Sequence, residues 1–252
     1  MKNKVLLVLS LITISGSFLY SQTGASPTAT ELLAHVDNNQ IFQTIQYEAE
    51  MIIEQETRRG LRRDVKTMIA WARGSTDSFI EFTNREDRGV KYLQTAGSLR
   101  YFHPDNERVL PVPAHMLREW MGSDLSFEDV QDNESLSARY TPSLAGTEVI
   151  NGRPAWILQL TARGTETYPT RRLWIDQENR DLVRYELFAL SGAKVQEYNL
   201  LRVEVIDGRR FPVEMEIRNL QRGDSRTVFI MRNVVLNRPI ADSVFHVDNL
   251  LR

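Results

Sequence analysis

The 252-residue chain contains no cysteine. This excludes a thiol nucleophile, a cysteine-built zinc site and a lipid-modified N-terminal cysteine, and roughly 230 residues can bury a core without disulfides. Histidine is scarce: His35, His103, His115 and His246 stand alone, with no HxxxH or HxH spacing, which argues against a metal centre. There is no Gly-x-Ser-x-Gly elbow, phosphate loop or dinucleotide fingerprint. The acidic pairs Glu86-Asp87 and Glu128-Asp129 resemble glycosidase carboxylates only in composition; a turn and a capped helix explain them better. Neither catalysis nor a cofactor is expected.

An excess of positive charge is also missing. The formal net charge is −2, and losing Lys2 and Lys4 with an N-terminal signal leaves about −4, which disfavours nucleic acid as a partner. Arg58, Arg59, Arg62 and Arg63 sit near Glu48, Glu50, Glu54 and Glu56, the mixed pattern of solvated strand faces. Past the N-terminus no segment approaches about 18 unbroken apolar residues. Met1-Lys-Asn-Lys4 followed by apolar residues 5–14 has the charged and greasy parts of a secretory signal, with cleavage after Ser21 or Ala25. The expected organisation is a signal peptide and linker start over 1–25, then one exported, soluble domain over 26–252.

What is present is mostly alternation of period two. Leu32, Leu33 and Val36 at helical spacing predict one amphipathic helix over 29–40, capped by Thr28 or Thr30 with Glu31 in its first turn. Tyr47, Ala49, Met51 and Ile53 then alternate with glutamates, and Leu61, Val65, Ile69 and Trp71 alternate with Arg62, Asp64 and Lys66 across an Arg58-Arg-Gly60 turn. Short strands follow at 77–83, 89–96 and 98–103. The second half predicts strands at 153–162, 170–176, 182–190, 194–206, 211–219 and 226–237, joined by Asn-Gly, Ser-Gly and Asp-Gly turns. Phe211, Val213, Met215 and Ile217 against Glu214, Glu216 and Arg218 describe a sheet with one face in water. The exception is a helical insert at 111–138. There Met116, Leu117, Trp120 and Met121 share a helical stripe over 115–121, Gly122 stops it, and Ser126 and Asp129 frame a second short helix.

An apolar sheet face must be covered by closure, a second sheet or helices. Only the N-terminal helix, the insert and a terminal turn near 240–245 are available, so a partly covered, greasy cavity is expected. Six methionines remain after the signal: Met51, Met68, Met116, Met121, Met215 and Met231. Met is a pliable lining for an irregular apolar ligand, although an inward Met is more often ordinary core. Trp120 stands out, with Met116, Leu117, Met121, Leu125 and Phe127, as either a lid or plain helix-to-sheet packing. Phe82, Tyr92, Tyr101 and Phe102 belong to the first half of the sheet and line the cavity from one side or the other.

Several segments resemble the periplasmic outer membrane lipoprotein-sorting (LolA-like) family. They are Trp120-Met-Gly-Ser-Asp-Leu-Ser-Phe-Glu-Asp-Val130, Gly146-Thr-Glu-Val-Ile-Asn-Gly152, Arg172-Leu-Trp-Ile-Asp176, Gly208-Arg-Arg-Phe-Pro212 and Pro239-Ile-Ala-Asp-Ser-Val-Phe245. The likeness covers about 30–250. It implies a mainly β (α+β) fold, an unclosed antiparallel β-barrel of about 10–12 strands with short helices covering the concave face. It also implies a periplasmic carrier for the acyl chains of lipoproteins or another lipid. Its partners are then an inner-membrane donor complex and an outer-membrane acceptor, with only transient membrane contact. The alternatives are a sensor module that binds the same cargo in envelope-stress signalling, and an enzyme acting on lipid. The ligand-contacting residues expected on this reading are Met116, Leu117, Trp120, Met121, Leu125, Phe127, Met51, Met68, Phe82, Tyr92, Tyr101 and Met215.

Overall fold

The computed structural model describes residues 26–40, 42–95, 98–112, 120–126 and 134–251. Helix α1 (Ala29–Gln40) opens on a capping box: the Glu31 carboxylate accepts from the Thr28 backbone N–H at 2.8 Å and from its hydroxyl at 2.9 Å, while Glu31 N–H donates back to Thr28 Oγ1 at 3.2 Å. The backbone N–H of Thr28, ahead of its side chain, holds the Glu31 carboxyl below its usual range.

The rest is one antiparallel sheet of thirteen strands. The first group is β1 (Thr44–Thr57), β2 (Gly60–Arg73), β3 (Asp77–Phe82), β4 (Lys91–Thr95), β5 (Ser98–His103) and β6 (Arg108–Pro111). After a four-residue helix α2 (Leu136–Arg139) come β7 (Tyr140–Ile150), β8 (Arg153–Ala162), β9 (Thr170–Asp176), β10 (Leu182–Phe188), β11 (Lys194–Ile206), β12 (Arg209–Asn219) and β13 (Ser225–Leu236). The spatial order is β6-β5-β4-β3-β2-β1-β13-β12-β11-β10-β9-β8-β7. Neighbours in sequence are neighbours in space, as short hairpins require, except at β6 and β7, while β1 pairs with β13. The sheet does not close: β6 and β7 are its free edges, and the insert between them carries the chain from one edge to the other.

The count exceeds the expected 10–12 because β6 and β7 carry little period-two signal. β7 is an edge strand, exposed along most of its length, with Pro142 inside it and a register shift between Leu144 and Gly146. Proline and bulges are tolerated on edges, where they also discourage further pairing.

The inner face has two apolar regions. One gathers Ile45, Ala49, Met51 and Ile53 of β1, Met68 and Ala70 of β2, Ile80 and Phe82 of β3, Tyr92 of β4 and Phe211, Val213 and Ile217 of β12. In the other, Leu32, Leu33 and Val36 of α1 cover Tyr140, Leu158, Leu160, Leu173 and Ile175 of β7–β9. Tyr185 of β10 touches both regions and stacks on Tyr198 at 4.0 Å. α1 and the insert thus share the covering of this face.

Two expectations need correcting. In β2 the inward phase is Lys66, Met68 and Ala70; Leu61 and Val65 are exposed. Register decides this, since Met51 lies opposite Lys66 and Ala49 opposite Met68, and directly paired residues share a face. Nor does the C-terminal turn cover the inner face. Phe245 and Leu250, in 3-10 turns at Asp242–Phe245 and Val247–Leu250, pack on Phe79 and Leu93 with Trp71 and Phe102. These residues project from the opposite side of β2–β5, so Phe102 belongs to that outer cluster. No helix among the described residues is long and apolar enough to cross a membrane.

Asp37 of α1 ties the two helices together. Its carboxyl group accepts from Leu136 N–H at 2.9 Å, Ser137 N–H at 3.0 Å and the Ser135 hydroxyl at 2.7 Å, serving as the N-cap that the Ser135 side chain does not supply. Asp37→Ala is expected to cost about 2 kcal/mol and to lower Tm by about 4–8 °C, measurable by thermal circular dichroism.

Candidate ligand-binding face

Nine of the twelve residues singled out in the sequence lie in or against the larger inner cluster: Met51, Met68, Phe82, Tyr92, Tyr101, Trp120, Met121, Leu125 and Met215. Met116, Leu117 and Phe127 lie outside the described residues, as do 115–119 and 127–131 of the two expected insert helices.

The centre of the face is aromatic. Trp120 is buried, its ring centroid 5.6 Å from Phe82 and 6.4 Å from Tyr92. Tyr92 lies edge-on to Phe82 at 6.2 Å and stacks on Tyr101 at 6.1 Å. Each such pair adds about 0.5–1.5 kcal/mol beyond the area it buries. Burial pushes the Tyr92 phenol up, with Tyr101 and Asp87 adding in the same direction, and burial alone pushes Tyr47 up to about 12. Both phenols stay neutral at physiological pH, so the face presents rings and hydroxyls without charge at these positions.

The expected helical stripe does not run on through Met121. Trp120–Gly122 is a 3-10 turn in which Met121 (φ 54°) and Gly122 (φ 77°) both sit in the left-handed region. Glycine adopts this freely, whereas a side chain there costs about 1 kcal/mol or more. The turn is stitched internally: Trp120 N–H donates to Leu125 O at 2.9 Å, Ser123 N–H to Trp120 O at 3.0 Å and the Ser123 hydroxyl to Trp120 O at 2.7 Å. Reversed this way, Met121 offers its sulfur to the Tyr92 hydroxyl, which donates to it at 3.2 Å.

Asp124 fastens the turn to the sheet, and the sequence reading passed over it. Its fully buried carboxyl group accepts from the Thr227 hydroxyl at 2.8 Å, the Asn219 N–H at 3.2 Å and the Ser225 hydroxyl. Its own N–H donates to Thr227 Oγ1 at 2.9 Å, and its carbonyl accepts from Gln196 Nε2 at 3.1 Å. Arg222 adds hydrogen bonds to the carbonyls of Gly122 (3.0 Å) and Ser123. The only sequence signal was polar residues at inward strand positions: Ser225 and Thr227 on β13 and Gln196 on β11.

A second polar group borders the face. Lys66, nearly buried, donates to Asp87 at 2.7 Å, and Asn84 donates to the same oxygen at 2.7 Å. Burial alone would raise the Asp87 carboxyl, but the bonds from Lys66 and Asn84 outweigh it and hold it below the usual carboxylate range.

Beside the cluster lies a cavity of about 40 Å³ lined by Phe42, Tyr47, Ala70, Ala72 and Ile80 among others. That is little more than the share of one water molecule in the liquid.

An open antiparallel sheet whose apolar face is crossed by one edge-to-edge connection has the LolA-like fold. A DUF1329 family protein from Desulfovibrio piger aligns at 22% identity over 88% of this chain and 97% of its own, with a TM-score of 0.75. A LolA superfamily protein from Nitrosomonas europaea aligns at 19% identity over 89% and 100%, with a TM-score of 0.70. An outer membrane lipoprotein-sorting protein domain from Vibrio parahaemolyticus aligns at 17% over 89% and 97%, also at 0.70. A family model described as uncharacterized protein matches residues 74–252, and the chain belongs to that family, which is LolA-like in fold. No curated protein matches by sequence.

Asp124→Ala strands one backbone and two hydroxyl donors and is expected to cost about 3 kcal/mol. It should also raise amide exchange at residues 120–125 well above that of β12 and β13. For Asp87 the depressed carboxyl contributes stability that is complete above its unfolded value near 3.8 and lost as pH falls through the lower folded value. The stability gap between wild type and Asp87→Asn should stay constant above about pH 5 and shrink in more acidic solution, as urea titrations at several pH values would show.

Proposed function

We propose that this protein is a periplasmic carrier that shelters an acyl chain, of a lipoprotein or another lipid, against the inner face, and that it works by binding rather than by catalysis. One observation carries the reading. Among the described residues, the continuous face of Met51, Met68, Phe82, Tyr92 and Met215 is covered not by a second sheet but by the turn at 120–126, held to β12 and β13 through Asp124. Two of the solved structures that share the fold bear lipoprotein-sorting or LolA names, which supports the cargo class.

Magnitudes favour exchange of the turn for a guest. Each methylene removed from water gives about 0.8 kcal/mol, so a dozen give roughly 10 kcal/mol. Withdrawing a buried tryptophan costs about 3–5 kcal/mol, and breaking the Asp124 bonds about 3 more. A long acyl chain can offset both; a short one cannot. Affinity should therefore rise steeply with chain length. Methionines in this face suit such a site, because unbranched thioethers repack around a flexible guest.

Binding of a fluorescent C16 fatty acid tests this. Wild type should bind it and should retain lipid in native mass spectra when purified from its own envelope. Trp120→Asp, which sets an anion beside the path of the chain, should weaken binding at least about tenfold while far-UV circular dichroism still reports the sheet. Equal binding by the variant would remove Trp120 from the site. Absence of binding by wild type at any chain length would end the carrier reading.

A further inference from the structure

The pairing register brings three hairpin tips to the same end of the sheet. Gln55 of β1 lies opposite Ser225 of β13 and Gln196 of β11 opposite Asn219 of β12, while Phe188 of β10 pairs with Lys194 of β11. The tips are therefore 58–59, 220–224 and 189–193. Each carries or adjoins an exposed leucine: Leu61 at 62%, Leu220 at 45% and Leu190 at 89% exposure. Exposed apolar side chains also stand toward the opposite end, Val149 at 66% and Val205 at 67%, so the leucines carry weight only together with the arginines beside them.

Charge is concentrated at the same end. The β1–β2 tip, residues 56–63, is exposed throughout and reads Glu56-Thr-Arg-Arg-Gly-Leu-Arg-Arg63, four arginines against one glutamate in a chain of net charge −2. Arg62 leans on Asp64 at 3.3 Å and Arg63 on Glu54 at 3.7 Å. Arg58 and Arg59 have no ion-pair partner among the described residues. The acids nearby are already engaged or outnumbered. Glu54 is held by Arg226 at 2.7 Å and Asp87 by Lys66, while exposed Glu86 lies between Arg88 and Arg85. Asp224 lies on the neighbouring tip beside Arg222. β2 extends past the end of β3, whose pairing with it begins only at Met68, so this hairpin projects beyond its neighbours on that side.

We propose that this end of the sheet docks on the surface of an anionic phospholipid bilayer, the arginines meeting lipid phosphates and the leucines entering the headgroup region. Unpaired arginines beside exposed leucines match that surface in both charge and polarity. The 122–124 turn is anchored at the same end, through Arg222 and Ser225, so docking faces the membrane with the segment that covers the inner face. The assignment does not depend on what that face binds.

Cosedimentation of the whole protein with sucrose-loaded vesicles tests it. Vesicles of phosphatidylcholine with about a quarter phosphatidylglycerol should bind the protein at about 0.1 M salt and release it at about 0.5 M. Pure phosphatidylcholine should bind it poorly. Each arginine at an anionic surface is worth about a fivefold change in partitioning, so Arg58→Glu with Arg59→Glu should reduce binding at least about 20-fold, and Leu61→Ser should reduce it less. The double variant should keep its fatty-acid binding. Equal binding to neutral vesicles, no loss on charge reversal, or simultaneous loss of both activities would overturn the proposal. Failure to bind vesicles of either composition would also overturn it and would assign this end to a protein partner.

Discussion

An antiparallel sheet that stops short of closing leaves an apolar face and two raw edges, and everything else in this fold answers that condition. A helix covers the β7–β9 part of the face, and the described turn of the β6–β7 connection packs on the other apolar region. The far side of β2–β5 is sealed by the C-terminal turns. α1 lays three large aliphatic side chains on the sheet, and the described part of the insert lays down Trp120 and Leu125. The turn of the insert sits over the more aromatic and methionine-rich surface.

Asp124 makes the position of that turn specific. Apolar packing alone would let Trp120 settle anywhere on a broad greasy face. A buried carboxyl group with three donors aimed at it permits one position, because misplacement leaves several polar groups without partners. Such an anchor is stringent about location but modest in net free energy, since the same groups bond to water when released. The anchor gives the cover one defined closed position.

Much of this was legible in the sequence wherever one physical signal dominated. The bounds of α1, β8, β9 and β11 follow from periodicity and from the glycine or asparagine at their ends. Phe211, Val213 and Ile217 face inward because their alternation with charge leaves no other phase. The reading failed where two signals competed. In β2, Val65, Ile69 and Trp71 form a convincing apolar set, yet that side of the strand meets only the C-terminal turns and water, while Met68 and Ala70 take the core beside an inward lysine. In β7, Pro142 and Gly146 disguise an edge strand as a loop. At Met121 a left-handed backbone cannot be inferred from helical spacing. The partners of Asp124 come from β11, β12 and β13, between 72 and 103 residues downstream, so no local pattern announces them. The resemblance quoted for residues 120–130 marked the segment without revealing what its aspartate does.

The pairing of β1 with β13 carries a consequence for how the molecule is made. The first strand to leave the ribosome finds one of its two neighbours only when the last strand arrives, since Ile45 and Gln46 pair with Leu236 and Val235. Until then the β1–β6 half of the sheet keeps an open seam of backbone donors and acceptors along what will be its middle. Contacts of such long sequence separation form slowly. A chain that cannot complete its central seam early stays pliable until its last strand is made.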